Sequence, residues 1–381
     1  MTDEIVIVGG GTGGSVLAND LAERLDDEID SGAVQVTLIN DGPDHVYKPV
    51  WLYVPFGKRE PEDGRRPLRD LVDNRIEIRE DRVTEIDTEA KQLATSERVS
   101  PTSYDHLVLA TGSTLADDEV PGLAEGGHDY YSEEGSLELR EEFLEFTEGH
   151  LVLSVIGSPH MCPAAPLEFV FMADDWFRKR GLREDIEITY TYPVGRVHGN
   201  PHIAEWAKPL LDERGINTRT LFDAESVDPE AQVLTSMEGT EIDYDLLVAI
   251  PPHRGVDLIE EAGLGDRGWV EVDKHTLEAD HADDVYALGD TAATGVPKAG
   301  SVAHYQAATV GQRLASEVRG QVPTAAYDGK TICFIETGMD AASFVQFDYQ
   351  NPPSPVTPSE KIHWSKLAYN ESYWLTARGL I

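Results

Sequence analysis

The sequence predicts a doubly wound α/β chain, made of two βαβ halves and an aromatic-rich C-terminal segment. Three observations lead there. A short apolar run over 4–8 (EIVIV) ends in glycines, then gives way to helical apolar spacing and a second apolar run. The same order of strand, turn, helix and strand returns from Leu151 onward. The length, 381 residues, exceeds what one ordinary core holds and suits two or three domains.

Each element follows from its local pattern. The run over 4–8 reads as a buried parallel strand. Val16, Leu17, Leu21 and Leu25 recur at helical spacing and predict a helix over 15–25. A second strand is predicted over 34–39. Residues 41–69, rich in Pro, Gly, Arg and aromatics, read as irregular chain. Short strands are expected at 76–78 and 105–109, and a solvated helix over 133–148. In the second half the pattern predicts strands at 151–156, 185–192, 217–222 and 245–250, with helices over 165–180 and 204–214. The chain then returns to the first half with VYALGD at 285–290. The expected domains are 1–112 with 275–325, then 113–274, then a C-terminal segment over 326–381.

Charge narrows the function classes. Seventy acidic side chains oppose thirty-one basic ones, for a net charge of -39. The acids are spread along the chain, which reads as a hydrated surface that needs salt to screen it. The expected source is a salt-accumulating halophile, a haloarchaeon. With no basic stripe to neutralise phosphates, a nucleic-acid-binding role is disfavoured. No apolar run is long enough to span a bilayer, and the acidic N-terminus, MTDEIVIVGGG, is not a secretory signal. The expected location is cytoplasmic. Two cysteines, Cys162 and Cys333, make neither a disulfide scaffold nor a zinc site. By count alone they read as two unrelated buried thiols.

The glycines carry the first chemistry. Gly9, Gly11 and Gly14 form GxGxxG between a strand and a helix. The first permits the tight turn, the second lets backbone approach a pyrophosphate, and the third permits close helix–strand packing. The helix N-terminus adds N–H groups and a favourable dipole. At the end of the second strand, Asn40 and Asp41 stand where an acid normally holds the adenosine ribose. YDHLVLATGS (104–113) supplies Ala110, Thr111 and Gly112 as a turn between domains. DDVYALGDTA (283–292) supplies Gly289 and Asp290, the latter placed for a ribityl chain. Three motifs in this order identify FAD in the first half. The expected architecture is two Rossmann-like dinucleotide-binding domains, the glutathione-reductase-like FAD/NAD(P) fold.

The second half departs from a nucleotide site. Its equivalent turn, GSPHMCPAAP (157–166), keeps only the first glycine. Pro159, Pro163 and Pro166 remove donors that a phosphate cradle needs. A nicotinamide cofactor becomes doubtful there. Cys162 instead sits near a helix start, where the dipole is expected to lower a thiol's pKa.

Several further stretches carry a family likeness. CPAAPLEF (162–169), VHGNP (197–201), IPPHRG (250–255), VPKAGSVAHYQA (296–307), CF (333–334) and the tail HWSKLAYNESYWLTARG (363–379) together resemble the sulfide:quinone oxidoreductase family over nearly the full length. The resemblance implies an FAD-dependent oxidoreductase that takes electrons from sulfide and passes them to a membrane quinone. It implies that Cys162 and Cys333 form a redox pair beside the flavin. It makes Glu168 and His198 proton carriers, Lys298 a stabiliser of charge on the reduced flavin, and Phe334 part of a quinone slot. It implies peripheral membrane contact through the tail, where Ile362, Trp364, Leu367, Trp374 and Leu375 supply modest amphipathicity. Self-association into a homo-oligomer is compatible with it.

There are departures. Many family members carry a third cysteine just before the second domain, where this chain has YYSEEGS (130–136). Residues 41–60 contain no cysteine, so the flavin subunit of sulfide-oxidising flavocytochromes fits less well. Two other readings stand beside this one. One is a type II NADH:quinone dehydrogenase, which shares the fold, and the other is a non-catalytic FAD-binding partner subunit.

Overall fold

The computed structural model describes residues 2–380. Two parallel sheets organise the chain. The first has five strands in the order Val285–Ala287, His106–Leu109, Asp3–Val8, Val34–Asn40, Glu77–Glu80. The second has four, in the order Asn217–Thr220, Ile186–Tyr192, Gly149–Val155, Leu246–Ile250. In each, the earliest strand is central, which is the topology of a doubly wound sheet.

Both faces of each sheet are covered. Ile5 and Ile7 enter one apolar cluster while Val6 and Val8 enter another on the opposite face. In the second sheet Leu151, Leu153 and Val155 face one cluster and Val152 the other. Continuous apolar runs are thus the signature of strands buried on both sides. Helix Thr12–Arg24 packs with helix Gly300–Val318, whose lining residues Val310 and Leu314 share a cluster with Leu17 and Leu21.

Helix ends follow their residues. Ala165–Arg180 has a proline in its first turn, Arg178, Lys179 and Arg180 in its last, and a left-handed Gly181 beyond, at φ 72°. Pro201–Glu213 begins on proline, with the Asn200 side chain accepting from the His202 and Ile203 amides. The predicted helix over 204–214 therefore starts earlier, at the cap. The helix expected to reach 148 ends at Glu145.

Two features went unread in the sequence. Each half carries a three-stranded antiparallel sheet, formed by Val83–Asp87, Gln92–Thr95 and Thr102–Ser103, and by Ala224–Asp228, Val233–Ser236 and Glu241–Asp243. Strands this short, with charged outward faces, give little periodicity. The C-terminal region is ordered as a hairpin, Thr331–Glu336 with Ala342–Phe347, and helix Glu360–Thr376, capped by Ser359. Among the described residues no helix is long and apolar enough to cross a membrane.

Candidate functional site: a cavity shared by both halves

Parallel strands deliver their following turns to one end of a sheet. Here Gly9–Gly13, Asn40, Ala110–Gly112 and Leu288–Asp290 meet at the wall of a cavity of about 350 Å³. The opposite wall comes from the second half (Tyr130, Met161, Cys162, Glu168) and from the C-terminal region (Cys333, Phe334, Lys366, Tyr369).

The glycine turn is sterically determined. A Cβ on Gly9, which sits at φ 106°, would run into the Ala110 carbonyl, and one on Gly14 would run into the Gly9 carbonyl oxygen. A Cβ on Gly11 would meet nothing within 4 Å. Gly11 caps helix Thr12–Arg24 with no side chain on the first amides, which leaves them free for an anion. Asn40 braces this turn: its Oδ1 accepts from the Gly10 amide (2.7 Å) and its Nδ2 donates to the Gly42 carbonyl (2.9 Å). Asp41 does not line the cavity; its exposed carboxylate pairs with Arg82 at 2.5 Å. At the neighbouring turns, Thr291 Oγ1 accepts from the Gly112 amide (2.7 Å), and Gln306 Oε1, from helix Gly300–Val318, accepts from the Gly289 amide (2.7 Å).

This wall fits an FAD. Gly11–Gly13, Asn40 and Asp290 all line it, and they would hold the pyrophosphate, the ribose and the ribityl chain respectively. Three buried polar atoms at the cavity wall, Trp51 Nε1, Tyr130 OH and His304 Nε2, have no partner within the protein. Each is itself shut off from solvent, so the fit rests on the glycine turn, where an open Gly11 leaves the first helix amides free. The C-terminal helix pins the turn from outside. His45 Nδ1 donates to the Gly10 carbonyl (2.9 Å), which fixes the tautomer, so Nε2 accepts from Tyr373 OH (2.7 Å). Tyr373 OH also lies 2.7 Å from Thr12 Oγ1. Burial pushes the His45 imidazole down to about 4, so the ring is neutral.

Both cysteines are free thiols and both line this cavity. Cys162 occupies a left-handed conformation at φ 42°. Its amide donates to the Lys298 carbonyl (2.7 Å), and its carbonyl accepts from the Ala165 amide (2.9 Å) and Tyr131 OH (3.2 Å). Cys333 is held in the C-terminal hairpin opposite Val345. The expected low thiol pKa at Cys162 is not found. Burial, reinforced by Glu168 and opposed by Lys366, pushes it up to about 12. Desolvation outweighs the nearby helix end. Burial raises the Cys333 thiol as well.

Glu168 is buried beside them. Its Oε1 accepts from the Glu336 amide (2.8 Å) and from Lys366 Nζ. Lys366 also lies 3.9 Å from Glu336 Oε1, and Glu336 accepts from Tyr53 OH (3.0 Å) and His363 Nδ1 (3.0 Å). Burial, partly opposed by Lys366, raises the Glu168 carboxyl, which suits it to hold a proton. Two carboxyl groups thus share one ammonium.

Lys298 reaches the Asp290 carbonyl and stands 3.7 Å over the Trp269 ring. Burial, opposed by Asp290, lowers its ammonium to about 8. Phe334 lies against Tyr369 and Phe344, with ring centroids 5.7 and 5.1 Å apart. His198 is not brought to the cavity. Its ring stacks on Tyr192, its Nδ1 accepts from the Asn200 amide (2.9 Å), and burial pushes it down to about 4. A family likeness gives a histidine's place in the chain, and here the loop over 193–200 turns it into the core.

The degenerate turn has its own surroundings. His253 lies 5.4 Å from Tyr131 and 6.2 Å from His160, ring to ring, and all three are buried. Sequence reading missed these, along with Lys48, Lys366, Glu336 and Tyr369. For the lysines a signal existed: a basic side chain is scarce in this chain, and each of these stands among apolar or aromatic neighbours.

Comparison with known proteins agrees with this geometry. Residues 3–309 match the pyridine nucleotide-disulphide oxidoreductase family. The mitochondrial sulfide:quinone oxidoreductase of Mus musculus is 26% identical over 372 residues, covering 94% of this chain and 81% of that one. The Dictyostelium discoideum counterpart is 27% identical over 389 residues, covering 97% and 85%. The solved sulfide:quinone oxidoreductase of Aquifex aeolicus superposes with a TM-score of 0.87 at 23% identity, covering 99% and 92%. The chain therefore belongs to the pyridine nucleotide-disulphide oxidoreductase family, as an FAD-dependent oxidoreductase.

Proposed function

We propose that the chain oxidises sulfide to sulfane sulfur and delivers the electron pair through FAD to a quinone. The carrying observation is that Cys162 and Cys333, the chain's two cysteines, line the same cavity as the FAD turn. FAD, when bound, supplies a two-electron acceptor that a quinone reoxidises. Residues 1–112 with 275–325 would hold it, 113–274 would form the degenerate half, and 326–381 would close the quinone side.

The protein's part starts from the oxidised Cys162–Cys333 pair. Hydrosulfide attacks one sulfur, the inter-cysteine S–S bond breaks, and a new S–S bond leaves one cysteine as a persulfide. The other leaves as a thiolate; bonding of that sulfur to the outer sulfur of the persulfide closes the bridge again with the new sulfur inside it and releases an electron pair, which bound FAD would accept. Across a cycle one sulfide loses two electrons and one proton, and the quinone gains two electrons and two protons. Glu168, touching Lys366 beside both thiols, takes the sulfide proton. His198 does not line the cavity, whereas Glu168 does. Phe334 and Tyr369 offer an aromatic slot for the quinone ring.

Access to a membrane quinone fits the surface of the C-terminal region. Trp364 is 61% exposed, Leu375 45% and Leu380 60%. A chain of net charge -39 gains nothing from anionic lipid, so docking would be peripheral and apolar.

Substitution of the thiols tests this reading. Cys162→Ser and Cys333→Ser should each keep FAD yet lose sulfide-dependent reduction of a soluble quinone analogue, down to the level of free flavin. Full activity in both FAD-loaded variants would overturn it.

A further inference from the structure

The C-terminal helix, Glu360–Thr376, is seated by polar side chains. Its buried residues are His363, Lys366 and Tyr373, while Trp364 and Leu375 stay exposed. A surface helix is ordinarily held by an apolar stripe. This one relies on directional bonds. Lys366, Tyr369, Asn370 and Tyr373 recur at helical spacing, and all four line the cavity.

Tyr373 meets the glycine turn. Its hydroxyl donates to His45 Nε2 (2.7 Å) and accepts from Thr12 Oγ1 (2.7 Å), on a residue 361 positions away. His45 Nδ1 in turn donates to the Gly10 carbonyl (2.9 Å), which Ser15 Oγ also reaches (2.8 Å). The bonds from Thr12 through Tyr373 and His45 to Gly10 all run in one direction, so each polarises the next. Both ends of this chain lie in the turn, and both of its rings are buried. Peptide planarity carries the effect further. A Gly10 carbonyl held toward His45 turns the Gly11 amide hydrogen the opposite way, and Gly11 lines the cavity. Two turns along the glycine helix, Asn19 Nδ2 donates to the Ala377 carbonyl (2.7 Å), a second tie to the same C-terminal region.

We propose that Tyr373 is a positioning residue that locks the pyrophosphate turn in its binding shape, so that FAD retention depends on a seated C-terminal helix. By linkage the dependence is mutual, and bound FAD holds that helix down. The inference rests on FAD binding alone and is independent of the reductant that serves in the cell.

Two measurements test it, both in high salt. The first is the affinity of the apoprotein for FAD and for ADP, which carries the pyrophosphate without the isoalloxazine. Tyr373→Phe keeps the ring that stacks on Tyr47 at 3.8 Å and removes only the hydroxyl. Losing two neutral hydrogen bonds should weaken FAD about tenfold, and ADP by the same factor. The second is hydrogen exchange in the parent with and without FAD. Amides of Glu360–Thr376 should be slowed by FAD more than those of helix Pro201–Glu213, which lines no part of the cavity. An unchanged FAD affinity in Tyr373→Phe overturns the proposal, and so does a loss for FAD that ADP does not share. Should the variant fail to fold, the parent alone decides: equal exchange of Glu360–Thr376 with and without FAD overturns it. A parent that binds no FAD would instead refute the cofactor assignment.

Discussion

Replacing Lys366 with methionine isolates the buried charge cluster that ties the C-terminal helix to the thiol chamber. Lys366 is 7% exposed, Glu168 3% and Glu336 fully buried. Methionine keeps most of the apolar stem and removes the ammonium. Glu336 retains donors from Tyr53 and His363, but Glu168 keeps only the Glu336 amide. Breaking one side of a buried pair costs about 3–5 kcal/mol. Protonation of Glu168 relieves part of that, so the lower figure, about 3 kcal/mol, is expected near neutral pH.

The sign of the pH dependence follows. Without its ammonium, the folded-state pKa of Glu168 rises further above the ordinary 4.5, so the folded variant binds more protons than the unfolded one. Its deficit relative to the parent grows as pH rises above that value. Urea unfolding in concentrated KCl, at about pH 5 and about pH 8, reads this difference directly. Lys366→Met/Glu168→Gln should recover much of the loss, since no unpaired carboxylate remains. A loss under about 1 kcal/mol, or a double variant no better than the single one, would refute the reading that Lys366 and Glu168 form a coupled buried pair.

Two further outcomes are expected. Gly11→Ala should fold normally but hold little FAD, because its Cβ projects into open cavity, whereas Gly14→Ala should also lower the stability of the apoprotein, because its Cβ meets the Gly9 backbone. Flavin content after purification and a thermal melt without FAD separate the two. Cys162, whose thiol burial pushes up to about 12, should be alkylated by iodoacetamide far more slowly than a free cysteine at about pH 8, through its smaller thiolate fraction.

The parts of this molecule that the sequence made legible are those governed by local rules. Glycines at 9, 11 and 14 dictate a turn whatever surrounds them, and apolar runs such as 4–8 and 151–156 dictate buried parallel strands. Because neighbouring parallel strands end at one edge, the turns at 9–14, 110–112 and 289–290 had to meet. The rest depends on contacts between distant residues. Lys366 reads as a helix-surface lysine until the hairpin at 331–336 brings Glu336 to it. Tyr373 reads as a tail aromatic until it reaches His45 and Thr12. Lys48 lies in a stretch with no periodicity at all. The thiol of Cys162 was misread for the same reason: a helix end is visible in sequence, but desolvation is a property of the assembled chamber.

The most direct measurement mixes the FAD-loaded protein with sulfide in high salt without oxygen while recording flavin absorbance, and repeats the mixing with NADH. Rapid bleaching by sulfide, recovery of the oxidised spectrum on adding a quinone analogue, and no rapid response to NADH are expected. Bleaching by NADH alone would contradict sulfide oxidation and would return Cys162 and Cys333 to structural roles.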